Sequence, residues 1–268
     1  MRWLIGLLLL CQMALAGAQQ TDPFPAIGAA YWLEIDHAPV WSRQAHQRLA
    51  PASLTKMMTA LLVLERSASA SDLQATVRVS SAAAAETGTR LALKAGDQLS
   101  VADLLAASLI ASANDACHAL ADHVAGSQAQ FVQRMNQRSR QLGMRNTHFT
   151  NACGHDGPQH YSSAHDLALL AHALMEHAVA LELAAQPERT ISTSNGSRHF
   201  VLKSTNALIG RYPGAVGLKT GRTPQAGNCL VALARRGEHQ VLLVLLKGSD
   251  RWWDTVDVLD LAFARASR

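Results

Sequence analysis

LAPASLTKMMTALLVLE, residues 49–65, is the stretch whose reading decides the fold. Leu54, Met57, Met58, Leu61 and Leu62 fall at i, i+3, i+4, i+7 and i+8, the periodicity of a helix. Val63 and Leu64 widen the apolar stripe over most of the circumference, so the helix belongs in the interior. Pro51 and Ser53 suit its first turn. Ser53 and Lys56 stand three apart on one face of this apolar element. The chain holds five lysines against nineteen arginines, so a lysine placed for burial asks for a reason. A serine hydroxyl needs a base beside it to become a nucleophile. Arginine cannot lose its proton in a protein, whereas a desolvated lysine can. The first turn of a helix also offers backbone N–H groups to a developing oxyanion. The competing reading is a capping serine and a lysine that snorkels out to water.

Outward from this helix, residues 29–35 and 40–43 read as two strands turning near His37-Ala38-Pro39. A short strand is expected over 76–80 and helices over 101–111, 116–125, 128–142 and 163–176, with Ser163 near a cap. Residues 146–161 form a polar loop. Short strands are expected at 189–193 and 198–201, and longer ones at 217–220, 228–235 and 240–246. The last two make a hairpin through the glycine of 235–239, and 252–265 closes as a helix. Strands at both ends around a helical middle predict an α/β (α+β) fold, with one antiparallel sheet built from both termini and a mostly helical inserted lobe.

At 268 residues, 49% hydrophobic and 16% charged, the composition is that of a globular chain with a sizeable core. Arg2, the apolar run 4–10 and the small residues 16–18 read as a signal peptide over 1–18, which implies export to the periplasm. The run is short for a bilayer and no second one follows, so no stable membrane anchor is expected. A formal charge of +4 without Lys/Arg blocks argues against nucleic acid. Beyond the leader stand Cys117, Cys153 and Cys229; one bridge with a free thiol and three buried thiols both remain open. Among twelve histidines there is no His-Glu-x-x-His, and His172 and His177 would diverge by about 140° on a helix. His155, His160 and His165, with Cys153 and Asp156, lie in or beside the polar loop and read as solvated or capping groups. No metal and no cofactor is expected.

Two further motifs complete the set. Ser112-Ala113-Asn114 lies between two helices, where hydroxyl and carboxamide can face one cleft; taken alone it reads equally well as capping. Lys219-Thr220-Gly221 ends a strand, with a cation, a hydroxyl and a residue that lets a ligand approach the backbone. Such an edge strand can hold an extended peptide through main-chain hydrogen bonds.

In this order the three motifs are those of serine β-lactamases and penicillin-binding proteins. The sequence resembles the D-alanyl-D-alanine carboxypeptidases of peptidase family S11, the low-molecular-mass penicillin-binding proteins, over residues 29–263. APASLTKMMTALLVLE, LKAGDQLSVADLLAASLIASANDA, NTHFTNACG, HYSSAHDLALLA, YPGAVGLKTG and AGNCLVALA carry the likeness. The resemblance implies a β-lactamase/transpeptidase-like fold, a catalytic domain over 25–268 without a C-terminal β domain, and peptidoglycan stem peptides as substrates. It also implies covalent inhibition by β-lactam antibiotics. Ser53 matches the nucleophile and Lys56 its proton acceptor. Ser112 matches a proton relay, and Asn114, Lys219, Thr220 and Gly221 match substrate-binding positions. The backbone N–H groups of Ser53 and Arg222 match the oxyanion hole, and Arg251 matches the site of the substrate's terminal carboxylate, against a surface ion pair with Asp250 or Asp254. The chain departs from the family at His155, where leucine is usual, at Arg222 after the third motif, and at its first turn, which lacks the usual glycine.

Three rival functions stand against this reading. A DD-endopeptidase would cut peptidoglycan crosslinks with the same chemistry. A class A-like β-lactamase would need a loop glutamate to deacylate, and Glu176, Glu182 and Glu188 lie in or after the helix that follows the loop. A dead binding protein would be expected to lack a motif residue.

Overall fold

The computed structural model describes residues 22–67 and 69–268; the expected leader, 1–18, lies outside them. In chain order come β1 (Gly28–Ile35), β2 (Ala38–Arg43), a 3-10 turn (Ala52–Thr55), α1 (Lys56–Arg66), α2 (Ala70–Leu73), β3 (Thr76–Arg78), α3 (Ser81–Ala84), β4 (Gln98–Ser100) and α4 (Val101–Leu109). There follow α5 (Asn114–Ala125), α6 (Gln128–Gln141), α7 (Ala164–Met175), α8 (Ala178–Ala184), β5 (Glu188–Ser192), β6 (His199–Lys203), β7 (Ala215–Thr223), β8 (Gly227–Arg236), β9 (His239–Gly248) and α9 (Trp253–Ala266).

Five strands from the two ends of the chain form one sheet in the order β2-β1-β9-β8-β7, with every neighbouring pair antiparallel. Asp36 and His37, both at positive φ, make the two-residue turn between β1 and β2. The turn lies one residue earlier than the sequence reading placed it. A two-residue hairpin favours positive φ at both central positions, which Asp tolerates and Pro39 cannot adopt. Strand β9 is apolar at six successive positions because it is covered on both faces. Leu242, Val244 and Leu246 join the core under the helical lobe, while Val241, Leu243 and Leu245 face Val258, Leu259, Ala262 and Phe263 of α9.

Helix α1 is buried along almost its whole length, from Lys56 to Leu64, as its wide stripe demands. It packs against α4, α5, α6 and α7. The sequence reading missed α2, α3, β4 and α8, which span four, four, three and seven residues, too few to show a period. Ser53 was expected to open α1. Instead it lies in the 3-10 turn, where no side-chain cap bond forms, and α1 starts at Lys56. Among the described residues, no single helix is long and apolar enough to cross a membrane.

Candidate active site

The 3-10 turn ahead of α1 sets Ser53 where the 151–155 loop meets the end of β7. Ala52, just before it, takes φ 49°, a conformation that costs a non-glycine residue about 1 kcal/mol or more. The surrounding backbones make the room for this. A Cβ on Gly154, itself at φ +89°, would sit 2.0 Å from the Ala52 carbonyl oxygen. One on Gly221 would sit 3.1 Å from the Ser53 nitrogen. The two glycines therefore let the 151–155 loop and strand β7 close directly on the serine turn.

Lys56 is fully buried. Its Nζ donates to Ser53 Oγ (2.9 Å), Asn114 Oδ1 (2.7 Å) and the Cys153 carbonyl (2.6 Å). None of these partners is a carboxylate. Burial pushes the amine down to about 7, against a smaller opposing pull from Glu86 and Asp115. The Cys153 carbonyl is aimed by Asn151, whose Oδ1 accepts from the N–H groups of Cys153, Gly154 and His155. The spacing Asn-x-x-Gly thus has a local reason: one carboxamide gathers three amides and turns a carbonyl onto the lysine.

Lys219, on β7, is equally buried, and its Nζ donates to Ser112 Oγ at 2.9 Å and to the Thr220 carbonyl. Burial lowers its proton affinity strongly, and the nearby charges of Lys56 and Arg251 add to the effect. Ser112 stands at φ 61° in the bend between α4 and α5. Asn114 opens α5, and its amide nitrogen donates to the Thr87 carbonyl at 2.6 Å. Its carboxamide is thus committed within the protein, gripping Lys56 on one side and residue 87 on the other. The Thr220 hydroxyl meets Thr205 Oγ1 at 2.7 Å. Lys56, Ser53, Ser112 and Lys219 therefore converge as two serine–lysine pairs.

Arg251 is partly buried, stacked on Trp252 and bonded through Nη1 to the Gly221 carbonyl at 2.9 Å. The alternative ion pair with Asp250 or Asp254 does not form. Those carboxylates accept from Trp252 N and Trp253 N, and from Ser249 Oγ and Asp250 N. Arg222 is exposed at the same end of β7 and contributes to a cavity shared with Thr223, Pro224, Gly227, Asn228 and Gly248. Two cations thus flank the strand end beside Gly221.

Three features here carried no sequence signal. Cys117 of α5 and Cys153 form a disulfide, while Cys229 remains a buried thiol. This decides between the alternatives that the odd count left open. Glu86 lies between His118 Nδ1 (2.6 Å) and His155 Nε2 (2.8 Å). His160, another loop histidine, accepts the Thr150 N–H at Nδ1, so its Nε2–H donates to Thr55 Oγ1; burial holds it neutral, down to about 4. Among the described residues no group of three His, Cys, Asp or Glu is arranged to hold a metal ion.

Comparison with known proteins agrees with this geometry. A family profile for D-alanyl-D-alanine carboxypeptidases matches residues 18–250. The chain is 35% identical over 272 residues to D-alanyl-D-alanine carboxypeptidase DacF of Bacillus subtilis, covering 98% of this chain and 70% of that protein. It is 38% identical over 242 residues to DacC of Escherichia coli, covering 85% and 59%. The chain thus spans roughly three fifths to seven tenths of the length of these relatives. The crystal structure of the Streptomyces K15 DD-transpeptidase superposes with a TM-score of 0.84 at 29% identity, over 91% of this chain and 99% of that one, giving a β-lactamase/transpeptidase-like fold. By family profile, by identity along nearly its whole length and by fold, the chain belongs to the D-alanyl-D-alanine carboxypeptidase family of serine peptidases.

Proposed function

We propose that this protein is a penicillin-binding D-Ala-D-Ala carboxypeptidase that trims peptidoglycan stem peptides through an acyl-enzyme on Ser53. One observation carries the reading: Ser53 Oγ lies 2.9 Å from a buried amine with no carboxylate in contact and a proton affinity near neutrality. Such an amine can accept a hydroxyl proton at physiological pH.

The substrate lies antiparallel along β7, the edge strand of the sheet, and pairs with its free main-chain groups. Its terminal carboxylate meets the cations of Arg251 and Arg222 at the end of that strand. Ser53 Oγ attacks the penultimate D-Ala carbonyl while Lys56 Nζ takes the hydroxyl proton. The N–H groups of Ser53 and Arg222 hold the oxyanion. As the tetrahedral centre collapses, the C–N bond breaks and the leaving amine takes the proton that Lys56 accepted, relayed through Ser112 Oγ beside Lys219 Nζ, which leaves Lys56 neutral again. D-Ala departs and an ester remains on Ser53. Water then attacks as Lys56 takes its proton, and Lys56 returns that proton to Ser53 Oγ as the ester C–O bond breaks. A β-lactam ring opens on Ser53 by the same first half. No step calls for a cofactor. The leader and the cell-wall chemistry of the relatives favour action in the periplasm.

The relatives favour carboxypeptidase action over crosslink cleavage. An N-acylated peptide ending in D-Ala-D-Ala should release one equivalent of D-Ala, with crosslinked muropeptide dimers cut more slowly. Ser53→Ala should abolish both release and labelling by a fluorescent penicillin. Unchanged release from that variant would overturn the reading.

A further inference from the structure

Two loops supply Lys56 with its non-serine partners, and one carboxylate ties them together. The 151–155 loop offers the Cys153 carbonyl. The 86–89 loop holds Asn114, which offers the carboxamide: the Thr87 carbonyl accepts from Asn114 Nδ2, and the Thr89 carbonyl from the Asn114 backbone N–H at 2.7 Å. Gly88, at φ +74°, wraps this loop so closely that a Cβ would sit 3.1 Å from Asn114 Nδ2. Glu86 begins the loop. One of its oxygens meets His118 on α5 and the other meets His155 at the end of the 151–155 loop.

We propose that Glu86 is a positioning residue for the reaction, clamped between His118 and His155 so that it braces both loops around Lys56 and sets one negative charge within electrostatic reach of the lysine. The proposal rests on Lys56 acting as the base. The surroundings isolate the effect. Asp115, the other carboxylate acting on Lys56, is satisfied by the backbone N–H groups of Leu91, Leu93 and Ala116. Lys219, bonded to Ser112, is the cation that shares the site with Lys56 and is unchanged in either variant. On the Glu86 side, His118 also faces Asp122 at 3.5 Å, and Arg90 is bonded to the Glu86 backbone carbonyl rather than its carboxylate. The two imidazoles hold Glu86 ionised, down to about 2, although burial opposes this.

The sign of the effect follows. A carboxylate within electrostatic reach of Lys56 favours its protonated form, so removing the charge frees the base at lower pH. An ionised carboxylate only accepts hydrogen bonds, so the imidazole at position 155 donates its Nε2–H to Glu86 and offsets part of that charge. Removing that imidazole leaves more of the negative charge uncompensated. Substitutions on the two sides of one bridge should therefore act in opposite directions.

The test is the pH dependence of the rate at which fluorescent penicillin labels the full chain, its Glu86→Gln variant and its His155→Leu variant. His155 is part-exposed, and its replacement restores the family's usual residue, so that variant is expected to fold. The acid limb should move to lower pH by about half a unit or more in Glu86→Gln and to higher pH in His155→Leu. Limbs that stay in place, or that move the same way in both variants, would overturn the proposal and leave Glu86 a structural brace. Failure of the unsubstituted chain to label at any pH would instead overturn the proposed function.

Discussion

At the scale of single residues, the chemistry turns on where the chain spends its lysines. Two of the five are buried completely, and each contacts a serine. Lys56→Arg keeps a cation but cannot release it, so labelling by penicillin should fall by about 10²–10⁴-fold with the fold retained, as read by circular dichroism. Gly154→Ala would press a methyl group onto the Ala52 carbonyl at a positive φ. It should lose about 2–4 kcal/mol in denaturant unfolding and slow labelling as well. Ser53, Lys56, Ser112, Asn114 and Lys219 were legible because each lies in a short local pattern of chemically distinctive side chains. The Cys153 carbonyl and Glu86 were not. A backbone carbonyl has no signature in sequence, and Glu86 meets partners 32 and 69 positions away.

At the scale of elements, the helix α5 and the 151–155 loop are fastened twice, by the Cys117–Cys153 disulfide and by the Glu86 clamp. The bridge closes a loop with a sequence separation of 36, and constraining the unfolded chain to that extent stabilises by about 2–4 kcal/mol. The Cys117→Ala/Cys153→Ala variant should lose that amount in denaturant melts. It should also label more slowly, because the Cys153 carbonyl on Lys56 loses its anchor. The long strands and helices were readable from period, and β9 from its unbroken apolar run. The pairing of cysteines was not, since it depends on α5 and the polar loop meeting across the lobe. Likewise the serine turn looks like a helix start in sequence, and only the loops packed on it show why it is 3-10 instead.

Over the whole molecule, the sheet joins the two ends of the chain around the inserted lobe, so the site draws on segments from Ser53 to Arg251. Burying two lysines in such a site carries a cost in stability that depends on pH. Lys56 has a folded pKa near 7 against 10.5 ordinarily, so the unfolded chain binds more protons between these values. The cost is present in full below about 7 and fades as pH rises towards 10.5. The melting temperature should therefore rise between pH 7 and 9 more steeply in the natural chain than in Lys56→Met, by differential scanning calorimetry. Equal slopes would mean that Lys56 is not desolvated in solution.

The central claim, that Ser53 is the nucleophile activated by a buried lysine, is tested most directly by mass spectrometry of the penicillin-treated protein after proteolysis. A single penicilloyl adduct is expected on the peptide containing Ser53, forming faster as pH rises through about 7 and absent from Ser53→Ala. An adduct on any other residue, or one that persists in Ser53→Ala, would contradict it.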